Sequence, residues 1–168
     1  MLKCYNYDIV CSEIPDEVTL AINIAGCPNQ CEGCHSPWLW LDQGEPLNEE
    51  LMASLLERYG RAVTCICFMG GDSEPSEIER LTAWLRANAP QLKVGWYSGR
   101  DRNPVDTPWL DYLKTGPYIA ALGDLRSPTT NQRLYRLTPE GPQLLSLQRY
   151  PTYSHQNLPN VVRQVLFF

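Results

Sequence analysis

A strand-like segment runs directly into three closely spaced cysteines in residues 18–36, VTLAINIAGCPNQCEGCHS. Residues 18–24 are β-branched or apolar at most positions and are closed by Gly26, a pattern typical of a buried strand. Cys27, Cys31 and Cys34 follow with the spacing C-x3-C-x2-C. Because ligands of α/β proteins bind beyond the carboxyl ends of the strands, this junction predicts a functional site.

The cysteine loop offers fewer thiols than a structural zinc site usually takes, and it is compatible with an iron–sulfur cluster. Seven cysteines, with no segment that resembles a secretory signal at the start, argue against a disulfide framework. A structural zinc ion takes four protein ligands, and the adjacent His35 is a candidate for the fourth. Three thiolates on a cubane cluster would leave one iron free to bind a substrate or cofactor.

The other four cysteines lack the spacing of metal ligands. Cys65 and Cys67 flank Ile66 in a second strand-like segment, so both would point to the same face of a sheet. We interpret these two as small core residues rather than as ligands. Cys4 and Cys11 are left without an assigned role.

Strand-like and helix-like segments alternate along the chain. Strands are predicted at residues 18–24, 62–69, 92–97 and 112–115. One helix is predicted at 49–59, after an Asn48 N-cap, and a second from Pro75, with Ser76 and Glu79 as a capping box. This alternation predicts an α/β fold of right-handed βαβ units with a mainly parallel sheet. Several prolines beyond residue 138 predict an irregular C-terminal tail.

Short motifs follow three of the predicted strands. The cysteine loop follows the first strand, Gly70-Gly71-Asp72 follows the second, and Ser98 and Gly99 follow the third. The carboxyl ends of parallel strands meet at one edge of a sheet. We therefore expect these motifs to form one site.

Composition excludes several classes of function. Lys and Arg total 14 against 19 Asp and Glu, a net charge of -5 that disfavours direct nucleic-acid binding. No apolar stretch approaches the roughly 20 residues needed to cross a bilayer. We expect a cytoplasmic protein that binds neither nucleic acid nor membrane.

The cysteine spacing after the first strand, with Gly70-Gly71-Asp72 one βα unit later, resembles the radical S-adenosylmethionine (SAM) family. The resemblance implies a [4Fe-4S] cluster held by Cys27, Cys31 and Cys34, with the methionine end of SAM on the fourth iron. It implies no catalytic side chain beyond the cluster and SAM. The cofactor-binding residues that it implies are Gly33, Cys34, His35, Gly70, Gly71, Asp72, Ser98 and Lys114.

Within that family the chain resembles the branch that activates anaerobic ribonucleoside-triphosphate reductase. Gly33 before the third cysteine, Asp72 in place of glutamate and residues 127–133 are similar to that branch. The resemblance implies that one electron, from a donor such as flavodoxin, cleaves SAM to methionine and a 5′-deoxyadenosyl radical. That radical would take a hydrogen atom from a glycine of the reductase and leave a glycyl radical. Residues 12–17 depart from the family's Gly-Pro-Gly turn, and the tail is longer than expected.

Length and resemblance together predict the architecture. A complete (β/α)8 barrel needs about 250 residues, so we expect an incomplete, TIM-like βα barrel. It would form one radical SAM domain over residues 1–168, with its core at about 18–137 and the irregular tail at 138–168. A barrel open at one side would suit a protein substrate better than a small molecule.

Two other functions stay open from the sequence. The radical chemistry could act on a different glycyl-radical enzyme, a peptide or a small molecule. The cysteines could instead form a non-catalytic metal-binding module, either a structural zinc site or an iron–sulfur redox sensor. Metal analysis and a SAM cleavage test would separate these functions.

Overall fold

Eight strands form one open sheet in residues 1–146, the part of the chain that this computed structural model describes. The strands are β1 (Lys3–Val10), β2 (Thr19–Ile24), β3 (Glu45–Pro46), β4 (Cys65–Met69), β5 (Lys93–Tyr97), β6 (Tyr112–Thr115), β7 (Arg133–Thr138) and β8 (Gly141–Leu145). Their order across the sheet is β3-β1-β2-β4-β5-β6-β7-β8. The helices are α1 (Glu49–Tyr59) and α2 (Pro75–Asn88), with 3₁₀ helices at Pro37–Trp40 and Pro104–Asp106.

The predicted incomplete TIM-like βα barrel with a mainly parallel sheet is wrong. Among residues 1–146 the pairs β2–β4, β4–β5 and β5–β6 are parallel, and the other four pairs are antiparallel. A βα barrel needs a helix after each strand. The connection from β5 to β6, residues 98–111, contains only a 3₁₀ turn, and β7 then returns antiparallel to β6.

The sheet contains strands that the sequence pattern did not predict. β1 has exposed polar side chains on a strand between β2 and the two-residue β3, so its hydrophobic pattern is weak. The irregular segment predicted from residue 138 instead continues β7 and turns into β8. Pro142 is tolerated on β8 because an edge strand has one side without a partner strand. Residues 147–168 of the predicted tail lie outside the described residues.

The two helices begin for different reasons. Asn48 caps α1 as predicted, since its side-chain oxygen accepts a hydrogen bond of 2.9 Å from the Leu51 amide. The capping box predicted for α2 is wrong, because the N-cap residue is Glu74 and no side chain caps the helix. Ser76 and Glu79 lie inside α2, where Pro75 supplies the first turn with a fixed φ.

Strand alternation gives the central sheet two different faces. One face packs against both helices through a large apolar core that includes Ile22, Phe68 and Trp96. The second face carries a smaller cluster of Ile14, Cys65, Cys67 and Tyr112, to which Met69, Tyr97 and Leu145 add partly buried side chains. Cys65 and Cys67 are both fully buried there, which confirms that they are core residues. Ile14, from the loop between β1 and β2, therefore covers part of this second face.

Neither helix in residues 1–146 is long and apolar enough to cross a membrane. The longer one, α2, has 14 residues and charged side chains along its length, against the roughly 20 apolar residues that a bilayer requires.

Candidate functional site

The loops that follow the four parallel strands surround a single cavity of about 520 Å³. β2 leads to Cys27, β4 to Gly70 and β5 to Gly99, while β6 contains Lys114 and leads to Tyr118. All five residues line the cavity. A volume of this size is in the range of small-molecule and cofactor sites. The predicted convergence of three strand-end motifs on one site is thus seen in the structure.

One row of side chains forms the floor of the cavity. Asn23 of β2 pairs with Met69 of β4, Met69 with Tyr97 of β5, and Tyr97 with Lys114 of β6. Side chains in register across a sheet project from the same face, and all four line the cavity. The Tyr97 hydroxyl donates to the carbonyl of Glu13, which fixes the loop between β1 and β2 over this floor.

The cysteine loop is held by backbone hydrogen bonds and two left-handed residues. The amide of Cys27 donates to the Leu39 carbonyl at 2.9 Å, and that of Cys34 donates to the Cys31 carbonyl at 3.1 Å. Gln30 has φ +42° and Gly33 has φ +72°, so the chain turns sharply before each of the last two cysteines. Cys27, Cys31 and Cys34 are all partly exposed and all line the cavity.

The three thiols suit a multi-iron cluster better than a single metal ion. In residues 1–146 no group of three or more His, Cys, Asp or Glu side chains is arranged to hold one ion. A zinc site would need four ligands within about 2.3 Å of one point. A cubane cluster binds each cysteine through a different iron, so the thiols can stand apart around a shared cavity. The donor set and the cavity therefore fit a [4Fe-4S] cluster.

Asp72 is the most heavily hydrogen-bonded side chain of the site. Its carboxylate accepts from Ser98 Oγ at 2.5 Å, the Gly99 amide at 2.7 Å, Asn29 Nδ2 at 2.8 Å and Arg102 Nη2 at 3.2 Å. Only 2% of Asp72 is exposed. A carboxylate has about four lone-pair sites, so these donors occupy it fully. Asp72 thereby joins the cysteine loop to the turn that follows β5.

The two glycines before Asp72 adopt backbone conformations that other residues rarely take. Gly70 has φ +107° and Gly71 has φ +89°. Gly70 lines the cavity, whereas a Cβ on Gly71 would lie 2.6 Å from Cδ1 of Ile78 in α2. Gly71 thus allows α2 to pack closely against the strand end, and Gly70 exposes backbone to the cavity. Contact of either glycine with a cofactor stays a prediction.

Lys114 is a buried cation that faces the cysteines. The residue is 8% exposed, and its Nζ donates to the carbonyls of Gly116 at 2.6 Å and Ser98 at 3.4 Å. Burial lowers the pKa of Lys114 to about 8, although Asp72 and then the three cysteines oppose this shift. A lysine at a strand end is usually solvated, so a buried lysine was not expected at this position.

Lys114 is expected to make the stability of the apoprotein rise with pH. Its pKa is about 8 when folded, and the ordinary value of 10.5 holds when unfolded, so the unfolded chain binds more protons between these values. Relative to Lys114→Met, the free energy of unfolding of the wild type should gain up to about 3 kcal/mol from pH 7 to pH 10.5. Urea unfolding of both proteins at several pH values measures this difference.

Lys93→Met is the matched control for this prediction. Glu17 raises the pKa of Lys93 through a hydrogen bond, so Lys93 stays protonated in both folded and unfolded chains up to its ordinary pKa. Lys93→Met should therefore show no relative gain over the same pH interval. A constant difference between wild type and Lys114→Met would contradict the lowered pKa of Lys114.

The other predicted site residues lie at different distances from the cavity. His35 lines the cavity, and its ring centroid is 5.0 Å from that of Tyr118. Gly33 lies beside them, where a Cβ would be 3.5 Å from Ala120. Ser98 is fully buried and bonded to Asp72, so it supports the wall of the cavity from behind. Cofactor-binding roles for these residues stay predictions.

Sequence reasoning missed two residues that hold the site together. Asn29 donates to Asp72, and Arg102 donates to both Asp72 and Ser98, the latter at 2.9 Å. Arg102 also lies over the ring of Trp96, 4.3 Å from its centroid. The position of Asn29 inside the cysteine spacing was a usable signal. For Arg102 the sequence offers none, since it lies in an irregular segment between β5 and β6.

The fold and the site define a protein with a mixed eight-stranded sheet and two helices in residues 1–146, and with a three-cysteine cavity at the carboxyl ends of its parallel strands. Residues 17–121, more than half of the chain, match a family model described as 4Fe-4S single cluster domain. The chain belongs to that family. Because the family is defined by a single [4Fe-4S] cluster, this match supports the predicted cluster. No curated protein and no solved structure matches the chain.

Proposed function

We propose that this protein is a radical SAM enzyme that generates a glycyl radical on anaerobic ribonucleoside-triphosphate reductase. The observation that carries the proposal is the grouping of Cys27, Cys31 and Cys34 with Gly70 and Lys114 around one cavity. When bound and reduced, the [4Fe-4S] cluster would supply the one electron that cleaves SAM, and an external donor such as flavodoxin would replace that electron.

The residues around the cavity can divide the binding of SAM among them. Cys27, Cys31 and Cys34 would hold the cluster through three of its irons, and the fourth iron would be open to the methionine end of SAM. Gly70 has no side chain, so a ligand can reach its backbone. Among the described contacts Lys114 uses two N–H groups on carbonyls, which leaves the third for a carboxylate.

The adenosine end would lie beside His35 and Tyr118. His35 and Tyr118 place two rings there, with 5.0 Å between their centroids, and both rings line the cavity. Aromatic rings offer adenine a flat apolar surface. Gly33 beside them leaves the ring of Tyr118 uncovered, because a Cβ at this position would lie 3.7 Å from its Cε1 atom.

The reaction needs positioning more than acid–base catalysis. One electron and one SAM are consumed for each glycyl radical formed, and methionine and 5′-deoxyadenosine are released. The hydrogen of the target glycine leaves as a whole atom, so no side chain has to take up a proton. The protein has to orient the reacting groups and limit access of solvent.

The rim of the cavity is where we expect the target to enter. The loops at Ser12 and Glu13 and at residues 124–126 line the cavity above its floor. Arg126 joins these loops, because its Nη2 donates to the Ser12 carbonyl at 3.2 Å. Gly33 and Asp72 carry the likeness to reductase activators, which favours a glycine-containing segment of the reductase as the target.

Reductive cleavage of SAM is the experiment that tests the proposal. The full chain is reconstituted with iron and sulfide without oxygen, and then mixed with SAM in the presence or absence of dithionite. Chromatography should detect 5′-deoxyadenosine and methionine only when dithionite is present. Added anaerobic reductase should then develop the electron paramagnetic resonance (EPR) doublet of a glycyl radical.

Each outcome of this experiment decides between the functions. Formation of 5′-deoxyadenosine without a radical on the reductase would keep the chemistry and overturn the target. A fully assembled cluster that cleaves no SAM, with or without the reductase, would overturn the proposal and favour an iron–sulfur redox sensor. If protein purified without oxygen contained zinc in place of iron, the assignment of a [4Fe-4S] cluster would also be wrong.

A further inference from the structure

Asn29 lies in the cysteine loop between Cys27 and Cys31, and its amide group contacts two acceptors. Asn29 Nδ2 donates to Asp72 Oδ2 at 2.8 Å. The same nitrogen lies 3.9 Å from Cys27 Sγ. A side-chain amide has two N–H groups, so one can bind the carboxylate while the other points to the sulfur.

The amide of Asn29 is held in a fixed place. Asp72 is an immobile acceptor, since Ser98, Gly99 and Arg102 also donate to it and only 2% of it is exposed. On the other side, a Cβ at Gly99 would collide with the amide nitrogen of Asn29. The amide thus fits between the Asp72 carboxylate and the Gly99 backbone, and this fit sets the distance from Nδ2 to the sulfur of Cys27.

We propose that Asn29, which Asp72 holds in place, is a positioning residue for Cys27. In the cluster-bound protein its amide donates a hydrogen bond to the Cys27 sulfur. Hydrogen bonds to cysteine sulfur stabilise the more negative, reduced state of an iron–sulfur cluster and raise its reduction potential. Asn29 would therefore adjust how readily the cluster accepts an electron. This inference depends on the cluster that the family defines and does not depend on the radical reaction.

The midpoint potential of the cluster tests this role. Wild type, Asn29→Ala and Asn88→Ala are reconstituted with iron and sulfide and titrated with dithionite under EPR detection. Asn88 is the matched control, because its amide donates to the Trp84 carbonyl on α2, outside the cysteine loop. Asn29→Ala should have a more negative midpoint potential than the other two proteins at equal iron content.

A second measurement uses the apoprotein, so it tests the proposal even if Asn29→Ala does not take up the cluster. Iodoacetamide labelling followed by peptide mass spectrometry gives the alkylation rate of Cys27 relative to Cys34. With the labelling done at about pH 10, where thiolate formation does not limit the rate, Asn29→Ala should raise this ratio several-fold because it removes the donor beside the Cys27 sulfur. Asn88→Ala should leave the ratio unchanged. An unchanged potential in a fully loaded Asn29→Ala protein overturns the proposal. If that variant does not load, an unchanged alkylation ratio overturns it, and a raised ratio supports it.

Discussion

Cys31→Ala is expected to abolish assembly of the [4Fe-4S] cluster and all SAM cleavage that depends on it. Cys31 lines the cavity as the middle one of three thiols, and its loss would leave two irons of a cubane without a protein ligand. Iron and sulfide analysis after anaerobic reconstitution, with the absorption spectrum of the cluster, measures the loss.

Cys65→Ala is the matched control, because it removes a thiol from a different place in the same chain. Cys65 is fully buried in the second face of the sheet and does not line the cavity. Burial raises the pKa of its thiol far above the ordinary range, so it is a poor source of thiolate. The variant should keep a full cluster and lose about 1 kcal/mol of stability through a small cavity. Cluster loss in Cys65→Ala would show that the ligand assignment is wrong.

The parts of the fold that follow from local pattern were predictable. β2, β4 and β5 are short, mostly apolar segments, and α1 has an asparagine cap and a glycine after its last turn. Both signals depend on neighbouring residues only. The cysteine loop was predictable as a metal or cluster site because three thiols lie within eight residues, directly after a strand. The arrangement of these elements at one edge followed from their parallel order.

The parts of the fold that depend on pairing partners were not predictable. β1 and the β7–β8 hairpin extend the sheet beyond the parallel strands on either side, where exposure weakens the apolar alternation. Whether a fourth parallel strand is followed by a helix or by an antiparallel return depends on the connecting segments. The partial barrel was therefore a wrong extrapolation from length and resemblance, although the strands at its centre were correct.

The hydrogen bonds that connect the site residues could not be predicted from the sequence either. Asp72 and Asn29 are 43 residues apart, and Asp72 and Arg102 are 30 apart, so only the folded sheet brings them into contact. Nothing in the sequence distinguishes Asp72 as a ligand contact from Asp72 as a link between loops. The structure shows that protein donors already occupy the Asp72 carboxylate. Removal of this carboxylate should therefore lower the stability of the fold as well as any ligand affinity.

Asp72→Ala is expected to destabilise the apoprotein by about 3 kcal/mol, near the lower limit for removing one partner of a buried ion pair. The change leaves the Ser98 hydroxyl and the Gly99 amide without their acceptor, and it leaves the Arg102 guanidinium uncompensated. The guanidinium side chain is 22% exposed and can turn partly toward water, which keeps the cost at the lower limit. Urea unfolding followed by circular dichroism measures the change.

Two further variants show whether the loss of stability comes from the charge and hydrogen bonds of Asp72 or would follow the loss of any carboxylate in this region. Asp101 is exposed and lies in the same connection from β5 to β6, so Asp101→Ala should change stability by less than about 0.5 kcal/mol. Asp72→Asn keeps the size and one acceptor oxygen, and its loss of stability should lie between those of the two alanine variants. Equal losses for Asp72→Ala and Asp101→Ala would show that the four hydrogen bonds do not stabilise the fold. In that case the carboxylate of Asp72 would be free to bind a ligand, and its effect would appear in the affinity for SAM instead.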